Sequence, residues 1–287
     1  MIRSETYTLS NGVEIPKLGL GVWMIEDDAT PAAVKAAVDA GYRHVDTAQA
    51  YANEAGTGRG VREAGVARDA LFVTTKLDAG IKSYAEAVAA IDGSLKTLGL
   101  DVIDMMIIHS PQPWRNFGDE DRFFDGNLEA WRALEEAHAA GKLRAIGVSN
   151  FQQEDLQNLF DNASVKPMVN QVLAHVSNTP AALIDFCQSN GVLVEAYSPI
   201  GHGEVLKNEK VGEMAATYGV SIPQLCIRYL LQLGLLPLPK SATPAHIAAN
   251  AEVDFEISAA DMQALKEIET IKDYGEHSVF PVYGGKM

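Results

Sequence analysis

The sequence reads YRHVD at residues 42–46, LFVTTK at 71–76 and VIDMMIIH at 102–109. Each run is short and apolar on consecutive residues, which is typical of a parallel strand buried on both faces. Each run also ends on a chemically active residue, namely Asp46, Lys76 or His109. The carboxyl ends of neighbouring parallel strands lie at the same edge of a sheet. The three side chains are therefore predicted to meet at that edge.

The same pattern continues on both sides of these runs. Strands are predicted at 17–23, 42–46, 71–76, 102–109, 144–149, 167–172, 192–198 and 235–240. Helices are predicted at 30–41, 53–64, 83–99, 126–142, 152–162, 180–190, 211–233, 243–251 and 258–271. Strands that alternate with helices form βαβ units, and eight such units without a linker predict one closed barrel. The predicted fold is an α/β (β/α)8 TIM barrel that forms a single domain over residues 1–287.

Two additions to the barrel are also predicted. Asn11-Gly12 lies between two strand-like segments, which favours a tight N-terminal β-hairpin. Two long aromatic loops with Gly and Pro interrupt the regular pattern, at 110–127 and 273–287. Active sites of such barrels lie at the carboxyl ends of the strands, beneath loops of this kind. We therefore expect the extra loops and helices on the C-terminal side of the barrel to wall a substrate pocket.

The overall composition argues against several kinds of partner. The chain has 287 residues, of which 47% are apolar, and a formal net charge of −15. Nucleic acids and anionic membranes require a basic surface, so neither is expected as a partner. The N-terminus has no apolar signal region, and no apolar stretch reaches the roughly 18 residues of a membrane span. With two isolated cysteines, Cys187 and Cys226, a reduced cytoplasmic protein is expected.

Tyr51 lies five residues after Asp46 in a loop-like segment. Together with the three strand-end residues it indicates a chemical role for the group. A lysine cation beside a tyrosine favours the phenolate, so Lys76 is predicted to lower the pKa of Tyr51. Asp46 can hold Lys76 charged and in place, and a neutral His109 can orient a carbonyl group. Each residue alone has a commonplace structural interpretation. Their joint placement at consecutive strand ends favours proton delivery to a carbonyl oxygen.

Other chemistries find less support in the sequence. A G-x-S-x-G elbow is absent, and the seven histidines lack metal-ligand spacing. Gly19-Leu20-Gly21 and the glycine-rich stretch 56–60 do not match the dinucleotide-binding pattern of strand, glycine loop and helix. A phosphate would instead bind after the seventh and eighth strands, near Lys240 and the helix that Thr243 could cap. The alternative is that Lys240 simply ends a strand.

Eight segments of the chain, between the hairpin and residue 271, are similar to those of one enzyme family. The segments are GLGVW (19–23), DTAQAYANE (46–54), VTTKL (73–77), GLDVIDMMIIH (99–109), GKLRAIGVSNF (141–151), NQV (170–172), EAYSPIG (195–201) and LPKSATPAHIAAN (238–250). On these segments the chain resembles the aldo-keto reductases, and most of all the bacterial 2,5-diketogluconate reductase type. The resemblance implies a (β/α)8 barrel that reduces carbonyl groups with NAD(P)H.

The resemblance also implies roles for individual residues. Tyr51 would be the general acid, tuned by Lys76 and Asp46, and His109 would place the substrate. The implied cofactor-binding residues are Val22, Trp23, Asp46, Ser149, Asn150, Gln171, Tyr197, Ser198, Pro199, Ile200, Lys240, Ser241, Thr243, His246 and Asn250. The implied substrate-binding residues are Trp23, Tyr51, His109, Ser110 and Trp114. No resident metal is implied.

Two positions depart from the pattern of the family. His246 replaces an arginine that usually clamps the 2′-phosphate of NADPH, so use of NADH as well as NADPH is expected. Ser110 replaces a tryptophan that usually follows the catalytic histidine. If its side chain faces the pocket, bulkier or more polar carbonyl substrates would fit, and Trp114 could fill part of the space.

The leading hypothesis is therefore a monomeric NAD(P)H-dependent reductase of aldehydes, ketones, keto-sugars or keto acids. One alternative is a catalytically weak binding module that senses the nicotinamide cofactor. A second alternative is a (β/α)8 isomerase or metal hydrolase, which the absent metal spacing disfavours.

Overall fold

The structure, a computed structural model, describes residues 1–283. These residues form ten strands: β1 (Thr6–Thr8), β2 (Glu14–Pro16), β3 (Leu20–Gly21), β4 (His44–Asp46), β5 (Phe72–Leu77), β6 (Ile103–Ile108), β7 (Leu143–Ser149), β8 (Val169–Leu173), β9 (Leu193–Tyr197) and β10 (Leu236–Leu238). Strands β3 to β10 pair in parallel and in sequential order. A parallel bridge between Gly21 and Lys240 joins the two edges. The predicted (β/α)8 barrel is thus confirmed.

Helices separate the strands as predicted. Their bounds are α1 (Thr30–Asp39), α2 (Glu54–Glu63), α3 (Tyr84–Leu98), α4 (Phe124–Ala139), α5 (Gln153–Asn162), α6 (Ala181–Ser189), α7 (Glu209–Thr217), α8 (Ile222–Gln232), α9 (Pro244–Asn250) and α10 (Ala259–Lys266). The single helix predicted at 211–233 was wrong, because α7 and α8 are separate. Gly219 lies between them with φ +67°, and Ser221 and Gln224 form a capping box that starts α8.

The N-terminal hairpin covers the amino end of the barrel. Gly12 donates its N–H to the Leu9 carbonyl at 2.8 Å and has φ +84°, a conformation that favours glycine. The Tyr7 hydroxyl donates to the Leu235 carbonyl just before β10, and the Asn11 amide donates to the Arg144 carbonyl in β7. The predicted hairpin is confirmed, and any ligand cavity in the barrel must open at the carboxyl ends of the strands.

The barrel core explains two sequence features. Every residue of β5 and β6 is buried, as expected for strands covered on both faces. The glycine-rich stretch in α2 serves packing and not phosphate binding. A Cβ atom on Gly56 would lie 2.0 Å from the Asp27 carbonyl oxygen, and one on Gly58 would lie 1.8 Å from that of Leu98. In residues 1–283, no helix is both long and apolar enough to cross a bilayer.

Candidate active site

Four side chains meet at the carboxyl end of the barrel, as predicted. The Lys76 ammonium nitrogen lies 2.5 Å from Asp46 Oδ1 and also donates to the Thr47 carbonyl at 2.9 Å. The same nitrogen lies 4.7 Å from the centroid of the Tyr51 ring. The rings of Tyr51 and His109 meet edge to face, with centroids 5.5 Å apart. A cation is therefore fixed between a carboxylate and a phenol, beside an imidazole.

The loop that carries Tyr51 is held from both sides by amide side chains that the sequence interpretation did not single out. Gln49 donates to Ser94 Oγ of α3 at 2.9 Å. Asn53 donates to the Val22 carbonyl at 2.8 Å. Tyr51 ends one turn of 3-10 helix between these two anchors. The DTAQAYANE segment that contains both amides was the signal available in the sequence.

The predicted lowering of the Tyr51 pKa does not hold in this structure. Burial has the largest effect and raises the pKa of the Tyr51 phenol, whereas the Lys76 ammonium lowers it by less, and Asp46 adds to the rise. The sequence could not show the balance between burial and the cation. The phenol is consequently protonated at neutral pH, which is the form that a proton donor requires.

Lys76 and His109 have opposite protonation states. Burial lowers the pKa of Lys76, but the Asp46 and Tyr51 side chains outweigh that effect, so the net pKa is raised and the amine stays charged. Burial first, and the Lys76 charge second, hold the pKa of His109 well below its usual value. The imidazole is therefore neutral. Its Nδ1 is buried without a hydrogen-bond partner among residues 1–283.

A cavity of about 700 Å³ opens above these residues. Asp46, Tyr51 and His109 lie at its base. Trp114 of the first long loop lines it, as do five residues of the C-terminal segment: His277, Phe280, Pro281, Val282 and Tyr283. Trp23 packs edge to face on Phe280 with centroids 5.0 Å apart. Both loops form walls as expected, although residues 284–287 of the second lie outside the described part of the chain.

One side of the cavity presents amide and hydroxyl groups and an aromatic ring. Ser149, Asn150, Gln171 and Tyr197 all line it. The Tyr197 hydroxyl donates to Asn150 Oδ1 at 2.7 Å, and the Ser149 hydroxyl donates to the backbone carbonyl of Gln171 at 2.8 Å. Asn150 also donates to the His109 carbonyl at 3.1 Å. These groups fit a nicotinamide, because amides can bind its carboxamide and the tyrosine ring can stack on it.

The predicted phosphate-binding residues are only partly in the cavity. Ser198, Pro199, Ile200 and Lys240 line it. Ser241, Thr243, His246 and Asn250 lie outside the lining, on the segment that leads into α9 and along that helix. His246 is exposed, and Asn250 is buried. A lysine and a serine at the cavity, followed by the half-buried Ser241 and the exposed Thr243, fit a ligand that extends outward from the barrel.

Ser110 does not line the cavity, in contrast to its predicted place among the substrate-binding residues. Ser110 is fully buried and lies outside the cavity lining. Its hydroxyl oxygen accepts the N–H of Gln112 at 3.3 Å, and its carbonyl accepts from the Lys82 ammonium at 3.1 Å. The direction of a side chain just past a strand end follows no periodicity, so the sequence could not settle it. Trp114 forms the wall instead and packs edge to face on His109 at 5.1 Å.

The remaining residues in and around the cavity have different surroundings. Val22 is buried and does not line the cavity, whereas Trp23 does. His202 stacks on His277 with centroids 4.0 Å apart at the cavity wall, a contact that no motif indicated. Glu195 in β9 is fully buried and accepts a hydrogen bond from Gln171. Among residues 1–283, no group of three or more His, Cys, Asp or Glu side chains could hold a metal ion.

A family model described as the aldo/keto reductase family matches residues 17–270. The chain belongs to the aldo/keto reductase family. It is therefore an NAD(P)H-dependent oxidoreductase that acts on small-molecule carbonyl substrates. The geometry of the site agrees with this assignment, because the buried ion pair of Lys76 and Asp46 lies beside a cavity whose lining groups fit a nicotinamide.

Individual relatives of this aldo/keto reductase support the family assignment over nearly its whole length. It is 42% identical over 264 residues to a glyoxal reductase of Bacillus subtilis, with 91% of each chain covered. It is 40% identical over 266 residues to a 2,5-diketo-D-gluconic acid reductase B of Corynebacterium, with 92% and 93% covered. A crystal structure of a Bombyx mori aldo-keto reductase in complex with NADP matches with a TM-score of 0.86 at 32% identity, covering 99% of both chains.

Proposed function

We propose that this aldo/keto reductase converts aldehydes and ketones, including dicarbonyls and keto-sugars, to alcohols, with Tyr51 as the proton donor. The observation that carries the proposal is the Lys76 ammonium, fixed between Asp46 and the Tyr51 ring at the base of the cavity. The two relatives named for glyoxal and for 2,5-diketo-D-gluconic acid support dicarbonyl and keto-sugar substrates.

The cofactor, when bound, supplies a hydride to the carbonyl carbon. Reduction leaves negative charge on the carbonyl oxygen, and the Tyr51 hydroxyl delivers its proton there. Phenolate then forms beside Lys76, whose charge lies 4.7 Å from the ring centroid and stabilises it. Asp46 holds Lys76 charged throughout, because the ion pair is almost fully shielded from water.

His109 has a separate role in the proposed reaction. Its neutral imidazole can donate an N–H to the carbonyl oxygen, which orients the substrate toward Tyr51. Trp23 and Trp114 would hold the substrate carbon skeleton between apolar walls. Ser149, Asn150, Gln171 and Tyr197 would hold the nicotinamide, while Ser198, Lys240, Ser241 and Thr243 would hold the phosphates and Asn250 the adenine.

The direct test follows absorbance of the reduced nicotinamide with a panel of aldehydes, ketones, dicarbonyls and keto-sugars. We expect cofactor oxidation that depends on the carbonyl compound. Tight cofactor binding without turnover on any member of the panel would contradict the proposal. That outcome would support a cofactor-sensing module instead.

We predict that the enzyme uses NADH as well as NADPH. Histidine at 246 has a shorter reach than arginine and cannot bind a 2′-phosphate through two parallel hydrogen bonds, as arginine can. A charged hydrogen bond contributes about 1.5–3 kcal/mol, and about 1.4 kcal/mol is tenfold in affinity. His246→Arg should therefore raise the preference for NADPH by roughly 10- to 100-fold.

The measurement is kcat/KM for each cofactor in the wild-type and variant enzymes. NADH serves as the internal control, because it lacks the 2′-phosphate and its constants should not change. The idea fails if the wild-type preference for NADPH exceeds about a thousandfold, more than the missing contact leaves room for. It also fails if His246→Arg changes kcat/KM for NADH and for NADPH by the same factor.

Trp114 is predicted to limit the size of the substrate. Its ring lines the cavity and packs on His109, so Trp114→Ala should admit bulkier carbonyl compounds. Loss of the apolar contact should raise KM for small aldehydes by about tenfold, since a large buried side chain contributes 1.5–3 kcal/mol. Ser110→Ala is the matched control, and we expect it to leave the substrate range unchanged. If Ser110→Ala changed the range of accepted substrates and Trp114→Ala did not, Ser110 and not Trp114 would be the residue that limits substrate size.

A further inference from the structure

Glu195 is a buried carboxyl to which the catalytic steps above give no role. It lies in β9, is fully shielded from water, and contacts Gln171, which lines the cavity. Its Oε2 accepts a hydrogen bond from Gln171 at 2.7 Å. Its Oε1 is buried without a partner in the part of the chain that the structure describes. A buried polar atom left unpaired destabilises a fold, so such an atom calls for a functional explanation.

The partner of Glu195 is a residue of the proposed nicotinamide site. Gln171 Nε2 donates to Asp46 Oδ2 at 2.8 Å as well as to Glu195 Oε2. A primary amide has two N–H donors, so both are used. If the amide turned over, its oxygen would face the Asp46 carboxylate, which has no proton to donate. The observed contacts therefore leave the amide oxygen for the cavity, which Gln171 lines.

We propose that Glu195 is a positioning residue which, together with Asp46, fixes the Gln171 amide with its oxygen toward the cavity and so prepares it to bind the nicotinamide carboxamide. This inference rests on the proposed function. It links the cofactor site to the catalytic ion pair, because Asp46 contacts both Gln171 and Lys76.

The charge state of Glu195 gives the proposal a measurable signature. Burial first, and the Asp46 charge second, raise the pKa of Glu195 to about 8. The charged groups that face it are Asp46 on β4 and Lys76 on β5, while the adjacent β10 contributes only Leu236, Pro237 and Leu238. The carboxyl is neutral below about pH 8 and ionised above it.

Oxidised nicotinamide carries a positive charge, and the reduced form carries none on the ring. An ionised carboxyl beneath the site favours the positive form. Affinity for NADP⁺ should therefore rise as pH increases through about 8, whereas affinity for NADPH should change less. The sign follows because the oxidised cofactor binds better to the deprotonated protein, so its binding releases a proton.

The experiment measures dissociation constants of NADPH and NADP⁺ by tryptophan fluorescence between pH 6.5 and 9, with no carbonyl substrate present. Glu195→Leu removes the acceptor, so both cofactors should bind about tenfold more weakly, the effect of one lost hydrogen bond of ordinary strength. Glu195→Gln keeps an acceptor but cannot ionise. It should bind like the wild type at pH 7 and lose the rise in NADP⁺ affinity above pH 8.

Glu54→Gln is the matched control. Glu54 is also a buried carboxyl, but it accepts from Thr75 and lies outside the cavity lining. It should alter neither affinity nor pH dependence. Wild-type affinity in Glu195→Leu would overturn the proposal, as would an unchanged pH dependence in Glu195→Gln. If Glu195→Leu fails to fold, the Gln variant decides alone. Failure of the wild type to bind either cofactor would instead refute the proposed function.

Discussion

Replacement of Tyr51 by Phe is expected to lower kcat by at least about a hundredfold, because a positioned general acid contributes 10²- to 10⁴-fold. The ring contacts with Lys76 and His109 remain, since phenylalanine keeps the aromatic ring. Cofactor affinity should therefore stay near the wild-type value. The measurements are steady-state kinetics and a cofactor-binding titration, each on the wild type and on Tyr51→Phe.

The separation of turnover from binding makes this test informative. If turnover and cofactor affinity fell together, the substitution would have disturbed the loop that carries Tyr51, and the loss of rate would not identify the acid. If turnover persisted within about tenfold, another group would have to deliver the proton. Tyr197→Phe supplies a control, since that ring also lines the cavity but its hydroxyl donates to Asn150.

Lys76→Met should destabilise the protein as well as inactivate it. The ammonium and the Asp46 carboxylate are both almost fully buried, with exposed fractions of 1% and 4%. Removal of one partner leaves an uncompensated buried charge, which lowers the free energy of unfolding by about 3–5 kcal/mol. Loss of the cation beside the phenolate should lower kcat by roughly 10²- to 10³-fold.

A double variant separates the two effects. Asp46→Asn combined with Lys76→Met removes both charges, so most of the lost stability should return while activity stays low. Urea denaturation measures the free energy of unfolding, and kcat measures the effect on catalysis. Recovery of activity in the double variant would show that Lys76 acts only on stability. If Lys76→Met and the double variant were equally stable, Asp46 would not be an unpaired buried charge in Lys76→Met.

The barrel and the meeting of its four catalytic candidates could be predicted because they follow from local patterns. Apolar runs such as VIDMMIIH define buried parallel strands, and topology then brings the residues at their carboxyl ends to one edge. The predicted helix at 211–233 joined α7 and α8 because both are apolar in pattern, although Gly219 and the capping-box residues Ser221 and Gln224 mark the break between them.

The finer features of the site depend on distances that no pattern encodes. The pKa of Tyr51 depends on whether burial outweighs a cation that lies 4.7 Å from the ring centroid. The hydrogen bond from Gln171 to Glu195 joins residues on adjacent strands, and their register is set by pairing across the sheet. Ser110 turned away from the cavity because its backbone is held by Lys82 and its hydroxyl by Gln112.

Isotope transfer tests the central claim most directly. The enzyme is supplied with NADPH that carries deuterium at the transferable position of the nicotinamide, together with a carbonyl substrate from the active members of the panel. The proposed reaction predicts one deuterium on the former carbonyl carbon of the alcohol, for each cofactor oxidised, and a Tyr51→Phe variant that forms this product far more slowly. Cofactor oxidation without deuterium in the product, or labelled product formed at the wild-type rate by the variant, would contradict it.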